Sequence, residues 1–539
     1  MKEKHNIPGF RPELLSEPYV QHLHSVIYSI SARLSEQDKK IAELEAEIRR
    51  LKKLPKKPDI KPSKLDESPE DSKAEAEQKE TKGGKRKKKE NLEIHEHKEI
   101  RLVDVPADWE FAGYESRIIQ DFIVRANNIE YRLEIWKSPD GLERQVACLP
   151  GHLQSTHFGP VLKAYILHQY YECGVTQPLI LSGLRDHGVD ISSGQISAIL
   201  IENKKGFHQE KESLLAKGIE LSEELRTDDT GARHTFKNAF CNCINSSLFT
   251  YFTTTFSKSR INFLEILRVG RTDYCLNETA FAYLQKAELP PKYYQILEQS
   301  YNKGLRLFED KAALEAYFSK HDIKAKYAVK HITEALLMGC LVEHGFDPNM
   351  VIHSDDAGQF KLFIHSLCWK HAERPLVKLK CYNPFQQSQW EEKMTAFWSL
   401  YQALKQYKTQ PDPQKIGQLD QQFDQLCEGV NNFAALNQVL EDLKTKKERL
   451  LVVLQRPNTS LHNNDSERDI REFVKRRKIS GSTRSENGRK ARDTFLSLKK
   501  TCRKLGLSFW DYLLDRLQNA NDIPPLAQVM AQKAGLSKA

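Results

Sequence analysis

Apolar side chains first recur with a helical period between residues 17 and 54. They alternate in steps of four and three, and Gln37 is the single polar member of the series. The series consists of Leu23, Ile27, Ile30, Leu34, Gln37, Ile41, Leu44, Ile48 and Leu51. Such a heptad seam predicts a coiled coil that associates with a second copy, and one polar seam residue can fix its register. The alternative for residues 1–54 is an amphipathic helix that packs on its own chain.

The periodicity ends at residue 55, where prolines and charged residues replace the apolar positions. Four prolines precede the pair Gly83-Gly84 and the basic run Lys85–Lys89. Because this composition cannot bury enough apolar surface to fold, residues 55–99 are predicted to be a disordered basic linker. The lysines of the run either contact DNA phosphates or are simply solvated.

Ordered structure is predicted to resume in the region 100–210. Short β-rich runs occupy residues 115–150, and three helical segments follow, at 159–173, 177–187 and 193–204. Gly188 lies in the turn between the last two segments, and Ser192 is a favourable N-cap for the third. This pattern is typical of a helix-turn-helix unit, although ordinary helical cores also show it. The residues that would face DNA are Ser193, Gln195 and Ser197.

Two acidic pairs lie at predicted strands in the region 211–500. Asp228 and Asp229 precede two β-rich runs, which predicts a strand that enters a three-stranded meander. The apolar segment Met350–Ser354 predicts a short buried strand that ends at Asp355 and Asp356. A strand of this kind holds a terminal carboxylate on a rigid element, as a metal ligand requires.

A third acidic residue, Glu467, lies in the first turn of a predicted helix that Asn463–Ser466 caps. Helical patterns also fill residues 270–345, between the first strands and the second acidic pair, and residues 501–539 form a C-terminal helix and tail. Taken singly, the acidic residues have ordinary explanations, since aspartates form turns and a glutamate in a first helical turn interacts with the helix dipole.

Taken together, three carboxylates from separate elements suit phosphoryl transfer on DNA. Two divalent cations roughly 4 Å apart can activate an attacking oxygen and stabilise a leaving oxygen. Mg²⁺ prefers such hard oxygen ligands, and Mn²⁺ is a possible substitute. The predicted catalytic residues and metal ligands are Asp228, Asp355 and Glu467.

Positive charge is concentrated directly after Glu467. The segment 468–504 contains fourteen Lys and Arg residues against four Asp and Glu residues, and the whole chain carries a formal net charge of +9. Because phosphate contacts dominate DNA affinity, this segment is predicted to bind DNA, with a solvated basic helix as the alternative. The candidate contacts are Arg468, Arg471, Lys475, Arg476, Arg477, Lys478 and Arg489.

Cysteine usage and hydropathy limit the class of protein. The ten cysteines include no Cys-x-x-Cys pair, and the alternation predicts that Cys241 and Cys243 are buried thiols on one strand face. Cys368 and His371 are weak candidates for a metal site because no second ligand pair accompanies them. Neither a signal peptide nor a membrane span is evident, so a soluble intracellular protein is expected.

Several motifs resemble those of insertion-sequence-66 family transposases. Asn463–Arg471 with Arg477–Ser482 looks like the family signature Asn-Asn-x-x-Glu-Arg-x-x-Arg … Arg-Lys … Gly-Ser. Asp228-Asp229-Thr230 and Ser354-Asp355 are similar to the segments that hold the two catalytic aspartates, and Cys368–Arg374 is similar to Cys-Trp-x-His-x-x-Arg. The tail Thr501–Leu513 also matches, so the resemblance spans most of the chain.

The resemblance implies an α/β, ribonuclease-H-like mixed-sheet catalytic core with helical insertions, preceded by the helix-turn-helix region, the linker and the coiled coil. Asp228 would lie on the first strand, Asp355 on the fourth and Glu467 on a late helix. The implied chemistry is hydrolysis at transposon ends, then attack of the freed 3′-hydroxyls on target DNA. Small accessory proteins of the same element and a location at the nucleoid in the bacterial cytoplasm are also implied.

Three departures from the family pattern bear on these expectations. Asp229 replaces the usual Glu, which leaves the choice between Asp228 and Asp229 as ligand open. The cysteine-pair zinc module that many members carry before the helix-turn-helix is not expected here, and residues 270–345 look like an extra insertion. The neighbours Asp356, His371 and Arg374 are secondary candidates for the site.

Two other functions remain as alternatives to an active transposase. One is a ribonuclease-H-like nuclease or resolvase that cuts DNA without joining it. The other is a domesticated DNA-binding protein that keeps the fold without the chemistry.

Overall fold

The computed structural model describes residues 94–100, 114–139, 142–150, 153 and 157–538, with the side chains of the last helix described to residue 535. The predicted coiled coil at 1–54 and the linker up to residue 93 lie outside the described residues. Within the described part of the chain, none of the helices combines the length and the apolar character that a membrane crossing requires.

Residues 114–150 contain one short hairpin among the described positions, where several strands were predicted. Strand β1, Ile135–Lys137, pairs antiparallel with β2, Arg144–Val146. The preceding apolar run stays irregular, with Ile119 88% exposed and Phe122 82% exposed. The prediction is confirmed for the hairpin and was wrong for this preceding run, because strand formation needs a partner strand and a covering core, and in the described structure the run has neither.

The three predicted helices that follow are confirmed, with ends shifted by a few residues. They are α1 Pro160–Tyr171, α2 Gln177–Asp186 and α3 Ser193–Ile201, and α4 Lys205–Leu221 comes next. Ser192 caps α3 as predicted: its hydroxyl accepts a hydrogen bond from the Gln195 N–H at 3.2 Å, and the Gln195 side chain accepts one from the Ser192 N–H at 2.8 Å. Gly188 has a φ of +79°, which its lack of a Cβ permits in the turn before α3.

The predicted meander is confirmed, and a helical insertion follows it. The meander is β3 Glu224–His234, β4 Lys237–Asn245 and β5 Thr250–Thr255, each antiparallel to the next. The insertion comprises α5 Arg260–Leu267, β6 Tyr274–Cys275, α6 Glu278–Lys286, α7 Pro291–Asn302, β7 Leu307–Phe308, α8 Lys311–Lys320 and α9 Lys326–Glu343. The short strands β6 and β7 pair antiparallel. The other elements of residues 270–345 are helices, so this region is mainly helical, as predicted.

Two further strands complete a five-stranded sheet. They are β8 Val351–Ser354, all of whose residues are buried, and β9 Ile364–Leu367. The strand order is β5-β4-β3-β8-β9, with β8 parallel to β3 and β9 parallel to β8. The sheet is therefore mixed, and β3 is the central strand on which the antiparallel and parallel halves meet.

A second helical excursion, which the sequence analysis did not predict, follows β9. It comprises α10 Trp369–Val377, α11 Pro384–Thr409, α12 Pro413–Leu426, α13 Ala434–Lys444, α14 Lys447–Leu450 and α15 Val452–Gln455. Trp369 is fully buried, and its ring packs against Phe397, Tyr401 and Phe423. This single side chain thus joins the end of β9 to the centre of the excursion.

The last helices return to the sheet. They are α16 Asn464–Ser480, α17 Glu486–Leu505, α18 Phe509–Gln518 and α19 Leu526–Lys538. One hydrophobic core includes residues from Ala164 on α1 to Met530 on α19. The predicted domain limits at residues 210 and 500 fall inside α4 and α17, and helices on both sides of them contribute to this core.

Candidate active site

Asp228 lies near the middle of β3, opposite Cys243 of β4. Burial raises the pKa of Asp228 most, and the nearby carboxylates of Asp355, Asp229 and Glu467 raise it further, to about 7, although an N–H from Asp229 opposes the shift. The two other predicted ligands therefore lie close enough to Asp228 for their charges to act on it. The three predicted carboxylates share one electrostatic neighbourhood.

Asp355 follows the last residue of β8, so the parallel pairing of β8 with β3 brings it to the part of the sheet where Asp228 lies. Its carboxylate accepts a hydrogen bond from the backbone N–H of Ala357 at 3.1 Å, which fixes the turn after the strand. The Ser354 hydroxyl lies 2.9 Å from Nε2 of His365 on β9, and burial lowers the pKa of that imidazole to about 4. The strand that delivers Asp355 is thus held by its neighbour through side chains as well as backbone.

Glu467 is positioned by the residues around it in the first turn of α16. The Asn463 side chain donates to the Thr227 carbonyl at 3.0 Å, next to Asp228 on β3. Asn245 of β4 donates to the Ser466 hydroxyl at 2.8 Å, and Asp465 pairs with Arg226 of β3. These contacts hold the start of α16 against β3 and β4, which explains why the motif places Asn, Asp and Ser immediately before the glutamate.

Three positively charged or titratable side chains surround Glu467, whose own side chain is 12% exposed. Arg374 lies 3.3 Å from one carboxylate oxygen, Arg471 lies 3.5 Å from the other, and Nε2 of His371 lies 3.9 Å away. Burial lowers the pKa of His371, and the charge of Arg374 lowers it further. The secondary candidates His371 and Arg374 are therefore at the site, beside Glu467.

Cys368 connects this site to β8 and to the start of α10. Its N–H donates to the Ser354 carbonyl at 3.0 Å, and its buried sulfur accepts from the Asn463 N–H at 3.2 Å. Trp369 donates from its backbone N–H to the Leu461 carbonyl at 2.9 Å. The Cys-Trp-x-His-x-x-Arg segment thus ties the strand that carries Asp355 to the helix that carries Glu467.

The second member of each aspartate pair has other partners. Asp229 accepts a hydrogen bond from Gln359 at 2.6 Å and lies 4.0 Å from the Lys258 ammonium. Asp356 pairs with Lys446 at 3.0 Å, with Lys361 at 3.5 Å and with Arg449. Although burial raises the pKa of Asp356, hydrogen bonds from Lys446 and Arg449 bring it down to about 2. The partners Gln359 and Lys258 were not predicted, since no sequence pattern links them to β3.

Comparisons with known proteins bear on the family of this chain. The family model described as "Transposase IS66 family" matches residues 316–491. That range contains Asp355, Glu467 and the contacts that join β8, α10 and α16. The chain belongs to the IS66 transposase family.

A curated relative of this IS66-family protein is the uncharacterised protein y4jO of Sinorhizobium fredii (strain NBRC 101917 / NGR234). It is 41% identical over 324 residues, which cover 60% of this chain and 100% of the relative. No solved structure matches the chain. Asp228 lies outside the range that the family model matches, so its assignment depends on the geometry around β3.

The predicted DNA-contacting residues of this IS66-family protein divide into an exposed and an internal set. Arg468, Arg471, Lys475 and Lys478 are exposed and recur every three or four residues along α16, which places them on one side of that helix. We call these four residues the basic face. It begins next to Glu467, so a strand of DNA that follows it would approach the carboxylates.

Three other predicted contacts are engaged inside the protein. Arg476 is 4% exposed and stacks over the Tyr170 ring of α1 at 3.5 Å, which buries the guanidinium. Arg477 donates to the Gly231 carbonyl of β3, and Arg489 donates to the Thr254 carbonyl of β5. In this structure these arginines join helices to the sheet or to α1, because a long basic side chain can reach past its own helix to a carbonyl or a ring.

The predicted helix-turn-helix residues lie on α3 and not on the elements that carry the carboxylates. Ser193 and Gln195 are exposed at the start of α3, whereas Ser197 is half-buried. The Gln195 side chain is occupied by the capping box, so its amide oxygen already accepts a hydrogen bond. Among these three side chains, Ser193 is the one that is both exposed and outside the capping box.

Proposed function

We propose that this chain is a DNA transposase of the DDE type, in which Asp228, Asp355 and Glu467 hold divalent cations for cleavage at transposon ends and strand transfer of the 3′-hydroxyls into target DNA. The observation that carries the proposal is the convergence of three carboxylates from β3, β8 and α16 on one neighbourhood, in a chain of a transposase family. Carboxylates repel one another, so a fold brings three together where a cation is to be bound.

The topology of the sheet supports a ribonuclease-H-like core. Its antiparallel meander β3-β4-β5 is extended by the parallel strands β8 and β9 on the other side of β3. In chain order, Asp228 is on the first strand of this sheet, β3, and Asp355 directly follows the fourth strand, β8. Glu467 is on a late helix, α16. This is the arrangement that the family resemblance implies.

The donor set fits Mg²⁺, with Mn²⁺ as a substitute. All three candidate ligands are carboxylate oxygens, the hard ligands that Mg²⁺ prefers, and each comes from a rigid element. Burial and the neighbouring carboxylates both raise the pKa of Asp228, and a cation bound there would favour its ionised form. Asp228, Asp355 and Glu467 would hold two such ions, which would supply activation of the attacking oxygen and stabilisation of the leaving oxygen.

The local geometry favours Asp228 over Asp229 as the ligand. Both Asp355 and Glu467 raise the pKa of Asp228, whereas of these two only Asp355 acts on Asp229, which is held by Gln359 and faces Lys258. Successive side chains on a strand point to opposite faces, so the two aspartates do not present their carboxylates in the same direction. Asp229 then holds the loop after β8 through Gln359, and Asp228 serves the metal site.

Arg374 and Arg471 would orient Glu467 and neutralise it until metal and DNA bind, and His371 would help to orient it. Arg471 also belongs to the basic face, so the same guanidinium can pass from Glu467 to a phosphate. Burial keeps His371 biased towards its neutral form, which lets it accept or donate a hydrogen bond near Glu467 without adding a fixed charge.

DNA would lie along the basic face, with further contacts from α3 and the linker. The accessory proteins of the same element, the self-association through residues 17–54 and the location at the bacterial nucleoid are parts of the same proposal. Of these, the basic face has the most direct support, because four exposed cations border the carboxylates on one side of α16.

A strand-transfer assay on the element's own ends tests the proposal. With Mg²⁺ or Mn²⁺ the chain should produce new junctions with target DNA, and Asp228→Asn, Asp355→Asn and Glu467→Gln should each remove them. Asp356→Asn is the matched control, because Asp356 adjoins Asp355 yet pairs with cations outside the carboxylate cluster.

The products separate the alternatives. Cleavage without new junctions would indicate a nuclease or resolvase. Binding to the ends that EDTA leaves unchanged, with no cleavage in either metal, would indicate a domesticated DNA-binding protein. Full activity of all three carboxylate variants would overturn the mechanism.

A further inference from the structure

A second group of ligand-type side chains lies where the first helical insertion begins and ends. Asp273 and Cys275 are at β6, and Cys340 and His344 are at the end of α9. Their ligand atoms all lie within 4.8 Å of one another. We call these two segments, residues 273–275 and 340–344, the insertion neck.

The backbone brings the two halves of the neck unusually close. A Cβ added at Gly339 would lie 2.4 Å from the Cys275 carbonyl oxygen, so α9 can touch β6 only because residue 339 is glycine. Asn277 donates to the Gly339 carbonyl at 3.0 Å, which fastens the same contact. Strand β6 is held from its other side by β7, where Cys275 is opposite Leu307.

The spacing on α9 directs two ligands to β6. Cys340 and His344 are four residues apart, which places them one above the other on one side of the helix. His344 is also the C-cap of α9, where the last carbonyl groups carry partial negative charge and favour a cation. Both observations come from the backbone and do not depend on the side-chain distances.

The burial of the four side chains suits an internal site with one open side. Cys275 is 3% exposed and Cys340 is fully buried, whereas the side chains of Asp273 and His344 are 17% and 27% exposed. The Asp273 carboxylate lies 3.8 Å from the Cys275 thiol and 2.5 Å from Nε2 of His344. Two thiols, an imidazole and a carboxylate thus converge at the neck. By contrast, a buried cysteine such as Cys241 elsewhere in the described structure belongs to an apolar cluster.

We propose that Asp273, Cys275, Cys340 and His344 bind one Zn²⁺ ion that closes the base of the helical insertion. Zn²⁺ accepts sulfur, nitrogen and oxygen ligands in a tetrahedron, and a complete set of four protein ligands is typical of a structural site. With metal–ligand distances of about 2.0–2.3 Å, the ligand atoms of such a tetrahedron lie roughly 3.3–3.8 Å apart. The observed limit of 4.8 Å therefore needs a contraction of about 1.0–1.5 Å at most.

The position of the site gives the ion a structural task. It would fasten β6, near the start of the insertion, to the end of α9. The next element after α9 is β8, which Asp355 directly follows. Closing the neck removes conformational freedom from the whole chain segment between Cys275 and Cys340. The ion would thereby fix the point from which β8 enters the sheet.

Metal content of the purified full chain is the primary test. Elemental mass spectrometry should find one equivalent of zinc in protein produced in zinc-supplemented medium. The variants Cys340→Ser and His344→Asn should each lack this zinc. Cys427→Ser is the matched control, since Cys427 is also a buried cysteine but lies at the end of α12. Circular dichroism checks that each variant is folded.

Cobalt substitution makes the test independent of how well the variants fold. The wild-type chain loaded with Co²⁺ should show the visible absorption of a tetrahedral ion and a thiolate-to-cobalt charge-transfer band. Zinc content no higher than that of a Cys275→Ser/Cys340→Ser double variant, or a cobalt spectrum without the thiolate band, would overturn the proposal. A Cys275–Cys340 disulfide in the alkylated, unreduced protein would overturn it as well.

The zinc site is separable from the proposed catalytic metals. A chain that carries Asp228→Asn, Asp355→Asn and Glu467→Gln together should keep its full equivalent of zinc, because its neck is unchanged. Loss of zinc from this triple variant, with the neck intact, would show that the zinc resides at the carboxylates and would refute the assignment.

Discussion

The carboxylate cluster and the insertion neck are two ligand sets in one chain that differ in their ligand atoms and in how their charges are paired. The cluster offers oxygen atoms alone, and burial together with the neighbouring carboxylates raises the pKa of Asp228 to about 7. The neck offers two sulfurs, one nitrogen and one oxygen, and its Asp273 and His344 already pair with each other. A set of carboxylates alone suits exchangeable hard cations such as Mg²⁺. A set that includes sulfur and nitrogen ligands, two of which are already paired with each other or with a carboxylate, suits a permanently bound ion.

The largest effect is expected from a change to one aspartate of the pair that follows β8. We expect Asp355→Asn to reduce strand transfer by about 10³-fold or more, because a ligand of the reacting metals is lost. We expect Asp356→Asn to reduce it less than about tenfold and to lower the free energy of unfolding by roughly 1 kcal/mol, since three cations lose their partner. Product gels and urea denaturation measure the two effects.

Equal loss of activity in both variants would contradict the division of labour within this pair. Such a result would mean that the cations around Asp356 also reach the reacting DNA. Zinc content should stay at one equivalent in both variants, because neither touches the neck.

The carboxylate cluster was accessible from the sequence because its ligands carry local signals. The apolar segment before Asp355 predicted a buried strand, which is present. The Asn-Asn-Asp-Ser run predicted a helix with Glu467 in its first turn; this helix is present and begins at Asn464, although Asn463 makes no side-chain capping hydrogen bond. What could not be predicted was the set of partners that choose between neighbours. Gln359 and Lys258 act on Asp229 from other elements, and only the folded chain brings them to β3.

The insertion neck was missed for the opposite reason. Cys275 and Cys340 are far apart in sequence, and no Cys-x-x-Cys pair marks either of them. Each has a single ligand-type residue nearby in sequence, Asp273 for Cys275 and His344 for Cys340, which is a weak signal for a metal site. Their meeting depends on a tertiary contact between β6 and α9 that Gly339 permits. The exposed apolar run around Phe122 was misjudged similarly, because local β-propensity does not reveal whether a partner strand exists.

Gly339→Ala tests whether close approach makes the neck. Because the new Cβ would lie 2.4 Å from the Cys275 carbonyl, β6 and α9 must separate, and we expect a loss of about 3 kcal/mol in the free energy of unfolding together with a loss of bound zinc. Gly417→Ala on α12 is the control, since a Cβ there meets nothing within 4 Å and should be neutral or slightly stabilising. Urea denaturation and zinc analysis provide the measurements. Retained zinc and unchanged stability would show that the contact is not required.

The pH dependence of stability distinguishes the uncompensated cluster from the paired neck. The pKa of Asp228 is raised from 3.8 to about 7 in the folded chain, so ionisation costs stability. The cost is absent below pH 3.8, grows as the pH rises through this interval, and is complete above about 7. Asp228→Asn should therefore be more stable than the wild type at high pH by roughly 1–3 kcal/mol in Mg²⁺-free buffer.

Urea denaturation across this pH range measures the difference, which should vanish at the acid end. Mg²⁺ should stabilise the wild type at high pH and leave Asp228→Asn less affected, because the cation offsets the same charge. A stability difference that does not depend on pH would show that Asp228 titrates normally and that the charge of the cluster is already balanced.

The basic face provides the smallest expected effect and extends the comparison to the surroundings of the two sites. Lys475 and Lys478 are exposed on α16 beyond Glu467, where DNA is proposed to lie. Each change to alanine should weaken binding to a transposon end by about two- to fivefold and reduce the slope of log affinity against log salt by about one, as the loss of one phosphate contact does. Lys320→Ala, an exposed lysine at the end of α8 in the insertion, should change neither quantity. Fluorescence anisotropy over a series of salt concentrations measures both. If Lys320→Ala altered the slope as much as Lys475→Ala, the DNA path would not be confined to α16, and the insertion would have to be counted among the surfaces that bind DNA.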